Sequence, residues 1–256
     1  MNLGPSRARR THPPFRKSGF TLIELIVVMS IIAILLVLIA PAFTTLKSGA
    51  DVTSAADTVK GVLDQARTYA MANNTYTWVG FFEEDVSTAS TNPATAGAGR
   101  IVMSIVASKD GTMMYTAPLS IVTALLPANL IQVGKLTKID NTHLLHLQSY
   151  PPTTPTSDSF GNRPAVSSTA AQLGDDTPPN PILRFQYPLG STPQYTFSKI
   201  VQFNPRGEAV IDNSNYTSTA VSEIGIQPTH GVTLTLTNYS AIQLTGMSGD
   251  VKIYRQ

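Results

Sequence analysis

The stretch Arg16-Lys17-Ser18-Gly19-Phe20-Thr21-Leu22-Ile23-Glu24-Leu25 sets two basic residues and a glycine against the start of a long apolar run. From Phe20 to Ala40 every residue is apolar except Thr21, Glu24 and Ser30. As a helix, such a run spans a bilayer core of about 30 Å. Glu24 is the anomaly within it. An ionisable group in a membrane helix costs about 2.5–3.5 kcal/mol on insertion scales, so this carboxylate is a functional candidate that calls for a partner. An ordinary secretory signal does not fit. Its cleavage site follows an apolar core of about 7–15 residues, whereas here the glycine precedes a run of roughly 20. A simple membrane anchor leaves Glu24 without a use.

Charge supports the same division of the chain. Arg7, Arg9, Arg10, Arg16 and Lys17 lie before Phe20 with no acid among them. Without these five, the 18 basic residues fall to 13 against 16 acidic, about three net negative charges. The sequence pI near 8.8 therefore belongs largely to the leader and is no nucleic-acid footprint. A basic cluster before the span, with few cations after it until Lys47 and Lys60, predicts a cytoplasmic leader and a domain across the membrane. The chain has no cysteine, so an exported domain must be held by a packed core rather than by disulfides.

Pro41 removes a backbone donor and is expected to kink the helix. Beyond it, Val52, Ala55, Ala56, Val59, Leu63, Ala66 and Ala70 recur at intervals of three and four beside Asp51, Asp57, Lys60, Asp64 and Arg67, which predicts an amphipathic continuation ending at Asn73-Asn74. From Thr75 onward the pattern is that of strands. Segments 76–82, 100–107, 182–187, 199–203, 208–212, 232–237, 240–245 and 250–254 are rich in β-branched and aromatic residues between turn signals. Asn204-Pro205-Arg206-Gly207 is expected to turn 199–212 into a hairpin. Trp78, Phe81 and Phe82 are expected to pack the sheet onto the helix. Residues 117–194 read as an insertion of irregular chain, because 151–193 hold nine of the 18 prolines with many Ser and Thr. Val86 to Gly99 reads as a loop.

Catalytic signals are sparse. His143 and His146 would share a helix face, yet Leu144-Leu145 separate them and no third ligand is near. Asp175-Asp176 lack an ordered ligand spacing. There is no Gly-x-Ser-x-Gly elbow and no glycine-rich phosphate loop. The reading is therefore of a chain without enzymatic activity, cofactor or metal.

The run Gly19-Phe20-Thr21-Leu22-Ile23-Glu24 resembles the cleavage and methylation motif of the type IV pilin superfamily, which comprises pilins and the pseudopilins of secretion systems. Ala55 to Asn74 and Phe203-Asn204-Pro205-Arg206-Gly207 resemble H-type, FimT-like minor pseudopilins. The resemblance implies an α+β fold in which a long N-terminal helix packs on a mainly antiparallel sheet. It divides the chain into a cleaved leader (1–19), a transmembrane and assembly helix (20–41), its amphipathic continuation (42–74) and a β-rich domain (75–256). It implies cleavage after Gly19 and N-methylation of Phe20 by a prepilin peptidase and methyltransferase. Glu24 would then pair with the terminal amine of a neighbouring subunit. The implied partners are other pilin or pseudopilin subunits, the inner-membrane assembly platform and membrane lipid. The implied location is the bacterial inner membrane, with the exported domain in the periplasm or on the cell surface. A second function class is an anchored binding module for a ligand such as DNA, with Lys252 and Arg255 as phosphate contacts beside Tyr254. The acidic mature chain weighs against it, since phosphate binding needs clustered cations.

Overall fold

A computed structural model describes residues 21–115, 123–147, 159–166, 171–174, 183–211, 221–234 and 238–256, with side chains in the helix given outside 37–51. The chain divides into two compact units, Met1–Thr44 and Thr45–Gln256. Helix α1 (Leu22–Ala72) contributes to both.

In the first unit the large apolar side chains from Leu22 to Leu36 stand exposed, Leu22 at 78% and Leu36 at 62%. Among the described residues, no helix is long and apolar enough to cross a membrane. The proposed span from Phe20 to Ala40 extends past them at both ends, to Phe20 and to the side chains of 37–40.

The second unit is α+β. The helical stripe Val52, Ala55, Ala56, Val59, Leu63, Ala66 and Ala70 is buried as its spacing predicts, together with Val62. The helix stops where the asparagines stand. Asn74 takes φ +48°, and the Thr75 N–H closes on the Ala70 carbonyl at 3.0 Å, the six-to-one bond of a Schellman cap with Asn in the left-handed position.

Against this stripe lies a large, mainly antiparallel sheet. Its strands are β1 (Thr77–Asp85), β2 (Gly99–Ser108), β4 (Leu130–Leu145), β8 (Lys199–Phe203), β9 (Ala209–Val210), β10 (Val221–His230), β12 (Ser240–Thr245) and β13 (Val251–Arg255). They run in the order β13-β12-β10-β4-β2-β1-β8-β9, with β5 (Gln172–Leu173) and β11 (Thr233–Leu234) attached to β10. The expected hairpin forms. Gln202 faces Val210, Phe203 faces Ala209, and the Gly207 N–H donates to the Asn204 carbonyl at 2.9 Å. Gly207 adopts φ +84° at the end of the turn, a conformation that favours glycine.

Two strands correct the sequence reading. Residues 130–145 fall inside the stretch read as a proline-rich insertion, yet β4 is a central strand that pairs with β2 along nearly its whole length and with β10 at its end. Gly134 and Asn141 disguise it. They take φ +73° and +59° where the register with β2 shifts, Ile105 facing Val133 but Met103 facing Thr137, and Arg100 facing Asp140 but Gly99 facing Thr142. These turn-formers mark bulges within a strand. Strand β10 is a further omission. Only Ile224 and Ile226 alternate among Ser222, Glu223, Gly225, Gln227 and Pro228, yet Glu223 is buried and takes bonds from Arg163 Nε at 2.7 Å and Gln243 Nε2 at 2.9 Å.

The aromatic residues of β1 do not all face the helix. Val79 and Phe81 join the core beneath α1. Trp78 and the partly buried Phe82 join a second core on the sheet's other face, because successive strand residues point to opposite sides. That core is completed by a small sheet of β3 (Thr123–Ala124), β6 (Leu183–Tyr187) and β7 (Tyr195–Phe197). Phe185 and Phe197 stack there with ring centres 4.9 Å apart. The Trp78 indole N–H donates to Gln202 Oε1 at 2.8 Å, which satisfies a polar group inside an apolar layer.

Glu84 introduces a charge at this face and is matched several times. Arg100 Nη1 lies 3.1 Å from its carboxylate and Lys138 Nζ 3.5 Å, and the Tyr195 hydroxyl accepts from Lys138 at 2.6 Å. Partial burial alone would lower the Lys138 pKa, but the Tyr195 hydroxyl and the Glu84 charge outweigh it and raise the ammonium above its ordinary value.

The last strand has covered ends. Lys60 Nζ donates to the Val251 carbonyl at 2.9 Å. The Phe160 N–H and Ser159 hydroxyl donate to the Arg255 carbonyl at 3.0 Å, and the Arg255 N–H donates to Ser159 Oγ at 2.9 Å.

Gly80 sets the distance between the two sheets. A Cβ there would lie 2.5 Å from Phe197 Cβ and 2.6 Å from the Phe185 ring. Gly80→Val is expected to destabilise the domain by about 1–3 kcal/mol or more through overpacking, read as a lower thermal midpoint with a changed Trp78 near-ultraviolet signal. A second expectation concerns Asp110, an exposed carboxyl that accepts from the Thr112 N–H at 3.0 Å and from the Ser108 and Thr112 hydroxyls at 2.8 Å. These bonds, the Thr112 N–H foremost, hold its pKa down at about 2. Because the folded value is depressed, its stabilising contribution is present above the ordinary carboxylate value near 3.8 and is lost as pH falls toward 2. A carboxyl-carbon NMR titration should place the Asp110 midpoint well below that of an unstructured aspartate.

Candidate processing and assembly site

Helix α1 opens with reciprocal hydrogen bonds between Thr21 and Glu24. The Thr21 N–H and hydroxyl both donate to Glu24 Oε2 at 2.9 Å, and the Glu24 N–H donates to Thr21 Oγ1 at 3.3 Å. This is a capping box, in which the first hydroxyl and a carboxylate three residues on satisfy backbone donors that the helix itself leaves open. The sequence reading assigns Glu24 to charge pairing alone and misses the box, although its Thr-x-x-Glu signature stands at 21–24.

The box fixes a carboxylate at the positive end of the helix dipole. A carboxylate offers about four acceptor positions, and the box places two bonds on Oε2. Capping and pairing with an external cation are therefore compatible at one side chain.

The remaining site residues are placed as follows. Gly19 and Phe20 lie outside the described residues, as do Asp175 and Asp176. Pro41 lies within α1 among the positions whose side chains are not described, and the helix assignment continues through it. Lys252 is exposed on β13. Arg255 Nη2 pairs with Asp57 Oδ1 of α1 at 2.9 Å, and Tyr254 packs beside the apolar cluster of Leu147, Phe160, Tyr239 and Ala241. Arg255 is thus matched by a carboxylate at home, and the phosphate-binding reading gains no support from the geometry.

His143 and His146 do not share a helix face. His143 lies near the end of β4 with Nδ1 2.6 Å from Glu83 Oε1, and His146 follows the strand. Among the described residues, no group of three or more His, Asp or Glu side chains is placed to hold a metal ion.

The α+β fold with a long N-terminal helix, and the carboxylate at the start of that helix, are consistent with a pilin-like chain. Residues 14–40 match the family model of the prokaryotic N-terminal methylation motif. The match supports a type IV pilin-like protein processed at a prepilin motif, a structural rather than an enzymatic family. No curated protein matches the chain, and no solved structure does.

The box makes its own prediction. Thr21→Val removes the hydroxyl that both gives and takes a bond, and should weaken the first helical turn by about 0.5–2 kcal/mol. Faster hydrogen exchange at the Leu22 to Leu25 amides of the full-length protein in micelles is the expected result, and unchanged exchange would remove the box from the account.

Proposed function

We propose that the protein is a minor pilin or pseudopilin of the H-type, FimT-like kind, a structural subunit of a type IV pilus or a type II secretion pseudopilus. In this reading residues 1–19 are a cytoplasmic leader, and a prepilin peptidase cuts after Gly19 and methylates the amine of Phe20. Residues 20–41 anchor the subunit in the inner membrane lipid and then assemble it, with Pro41 kinking the helix, and the domain beyond lies across the membrane. The assembly platform and the other subunits are its partners. The observation that carries the reading is the motif match over residues 14–40.

The exposed apolar side chains from Leu22 to Leu36 support it physically, because about 25 cal/mol per Å² of apolar surface favours covering them with lipid or with neighbouring helices. Glu24 supplies register. A lone carboxylate in a low-dielectric surround is penalised, and an opposite charge recovers much of that cost, so one alignment of neighbours is favoured over others.

Mass spectrometry of the N-terminal peptide from native cells tests this, with sheared surface material and washed envelope measured separately. An N-methylated Phe20 peptide in the sheared fraction is expected for a pilus subunit, and the same peptide confined to the envelope for a pseudopilin. An intact leader in both fractions would discard the proposal.

Glu24→Gln separates the two duties of the carboxylate. Glutamine also serves in a capping box, so the helix start is expected to persist. Loss of a charge-assisted bond, about 1.5–3 kcal/mol, should cut filament incorporation roughly tenfold or more. Undiminished incorporation of this variant would exclude a charge-based register.

A further inference from the structure

Arg67 and Met71 stand one turn apart near the end of α1, the spacing at which helix side chains are neighbours. Both reach over the hairpin turn. A Cβ on Gly207 would lie 2.8 Å from Met71 Sδ and 3.3 Å from Arg67 Nε, so the thioether and the guanidinium border one space to which Gly207 contributes no side chain. A Cβ on Gly249, in the turn between β12 and β13, would lie 3.2 Å from the same Nε. Arg67 Nη1 pairs with Asp250 Oδ1 at 3.1 Å, which holds the guanidinium in place. Its Nε is buried and has no hydrogen-bond partner among the described residues. A buried donor left open calls for an explanation, because native interiors rarely leave one unmatched. Met71 can supply the acceptor. Its sulfur accepts only weakly as a thioether, and at 41% exposure it is open to small reagents from solvent. The chain has seven methionines and no cysteine, so thioethers are all the sulfur it can oxidise.

We propose that Met71 is a site of oxidation by peroxide and that its sulfoxide oxygen accepts from Arg67 Nε, fastening the last turn of α1 over the hairpin turn. In the step, a sulfur lone pair attacks one oxygen of hydrogen peroxide and the O–O bond breaks. The sulfur loses two electrons and keeps the transferred oxygen, and the other oxygen leaves as water with both protons. No further reagent is needed. Oxidation turns an apolar side chain into a polar one, a change that ordinarily loosens packing. Here the new oxygen meets a charged donor already in place, and hydrogen bonds from charged donors are the stronger kind. Met247, at 65% exposure in the neighbouring turn, is the more accessible thioether and serves as the internal control for exposure.

The test uses full-length protein in detergent micelles, treated with hydrogen peroxide until peptide mass spectrometry shows Met247 fully oxidised. Met71 should carry one added oxygen in the same sample. Nitrogen-15 NMR then follows the Arg67 Nε–H, assigned by its loss in Arg67→Lys, a variant that keeps a charge for Asp250 but lacks Nε. Exchange of this proton with water should slow about tenfold or more on oxidation, the gain of one charge-assisted bond, while the thermal midpoint holds. Oxidation of Arg67→Lys should instead lower the midpoint by about 2–4 °C. Met71→Leu, a nearly volume-conserving change at a half-exposed position, should show no slowing. Should Arg67→Lys fail to fold, the comparison of wild type with Met71→Leu decides alone. Met71 left unoxidised, unchanged Nε–H exchange, the same slowing in Met71→Leu, or a midpoint that falls as far in the wild type as in Arg67→Lys would each overturn the proposal.

Discussion

The close seating of the helical stripe on the sheet is the constraint on which the second unit depends. Ala55, Ala56, Ala66 and Ala70 present only methyl groups, so helix and sheet approach closely. The Thr77 hydroxyl reaches the Ala66 carbonyl at 3.1 Å, a bond from the first strand to the helix backbone itself. Fully buried Leu63 and Val59 fill the space between the alanines, each contributing about 1.5–3 kcal/mol by leaving water. With one face of the sheet committed to the helix, the alternate residues of every strand are turned to the other side. There they require a cover of their own, which the small three-stranded sheet supplies over β1, β2 and β8 and the cluster of Leu147, Phe160 and Tyr239 supplies over Ala241.

That two-sided demand explains what was legible in the residues and what was not. The helical stripe, its stop at Asn73-Asn74, the hairpin through Asn204-Pro205-Arg206-Gly207 and strand 240–245 are local patterns, and the structure shows each where the pattern lies. Strand β4 hid behind Gly134 and Asn141, which signal turns locally but serve as bulges once β2 lies alongside. Strand β10 hid behind Glu223, whose burial depends on Arg163 and Gln243 far away in sequence. Trp78 lies on the face away from the helix, against expectation, because nothing local announces a second layer. The same distinction holds for sites. Glu24 was conspicuous as a charge in an apolar run, whereas Arg67, Met71 and Gly207 meet only once the helix end packs on the hairpin turn.

Glu24 shows how a single side chain can satisfy two requirements at different stages. Within the chain its carboxylate takes the Thr21 N–H and hydroxyl at the helix start, which has value in any environment where water is scarce. Between chains, as proposed, its charge selects a neighbour. Since the box engages one oxygen twice, the first duty need not be surrendered for the second.

Strand β13 closes the sheet at a place where open backbone would otherwise invite trouble. An exposed edge is a template on which any extended chain can add, the usual route to amyloid-like stacking. Here Lys60 occupies the carbonyl at one end of the strand, while Ser159 and Phe160 occupy the backbone at the other. If the chain polymerises through its helices as proposed, such blunting separates productive from runaway growth: subunits held at high density would meet through their N-terminal segments without their sheets fusing into a fibre.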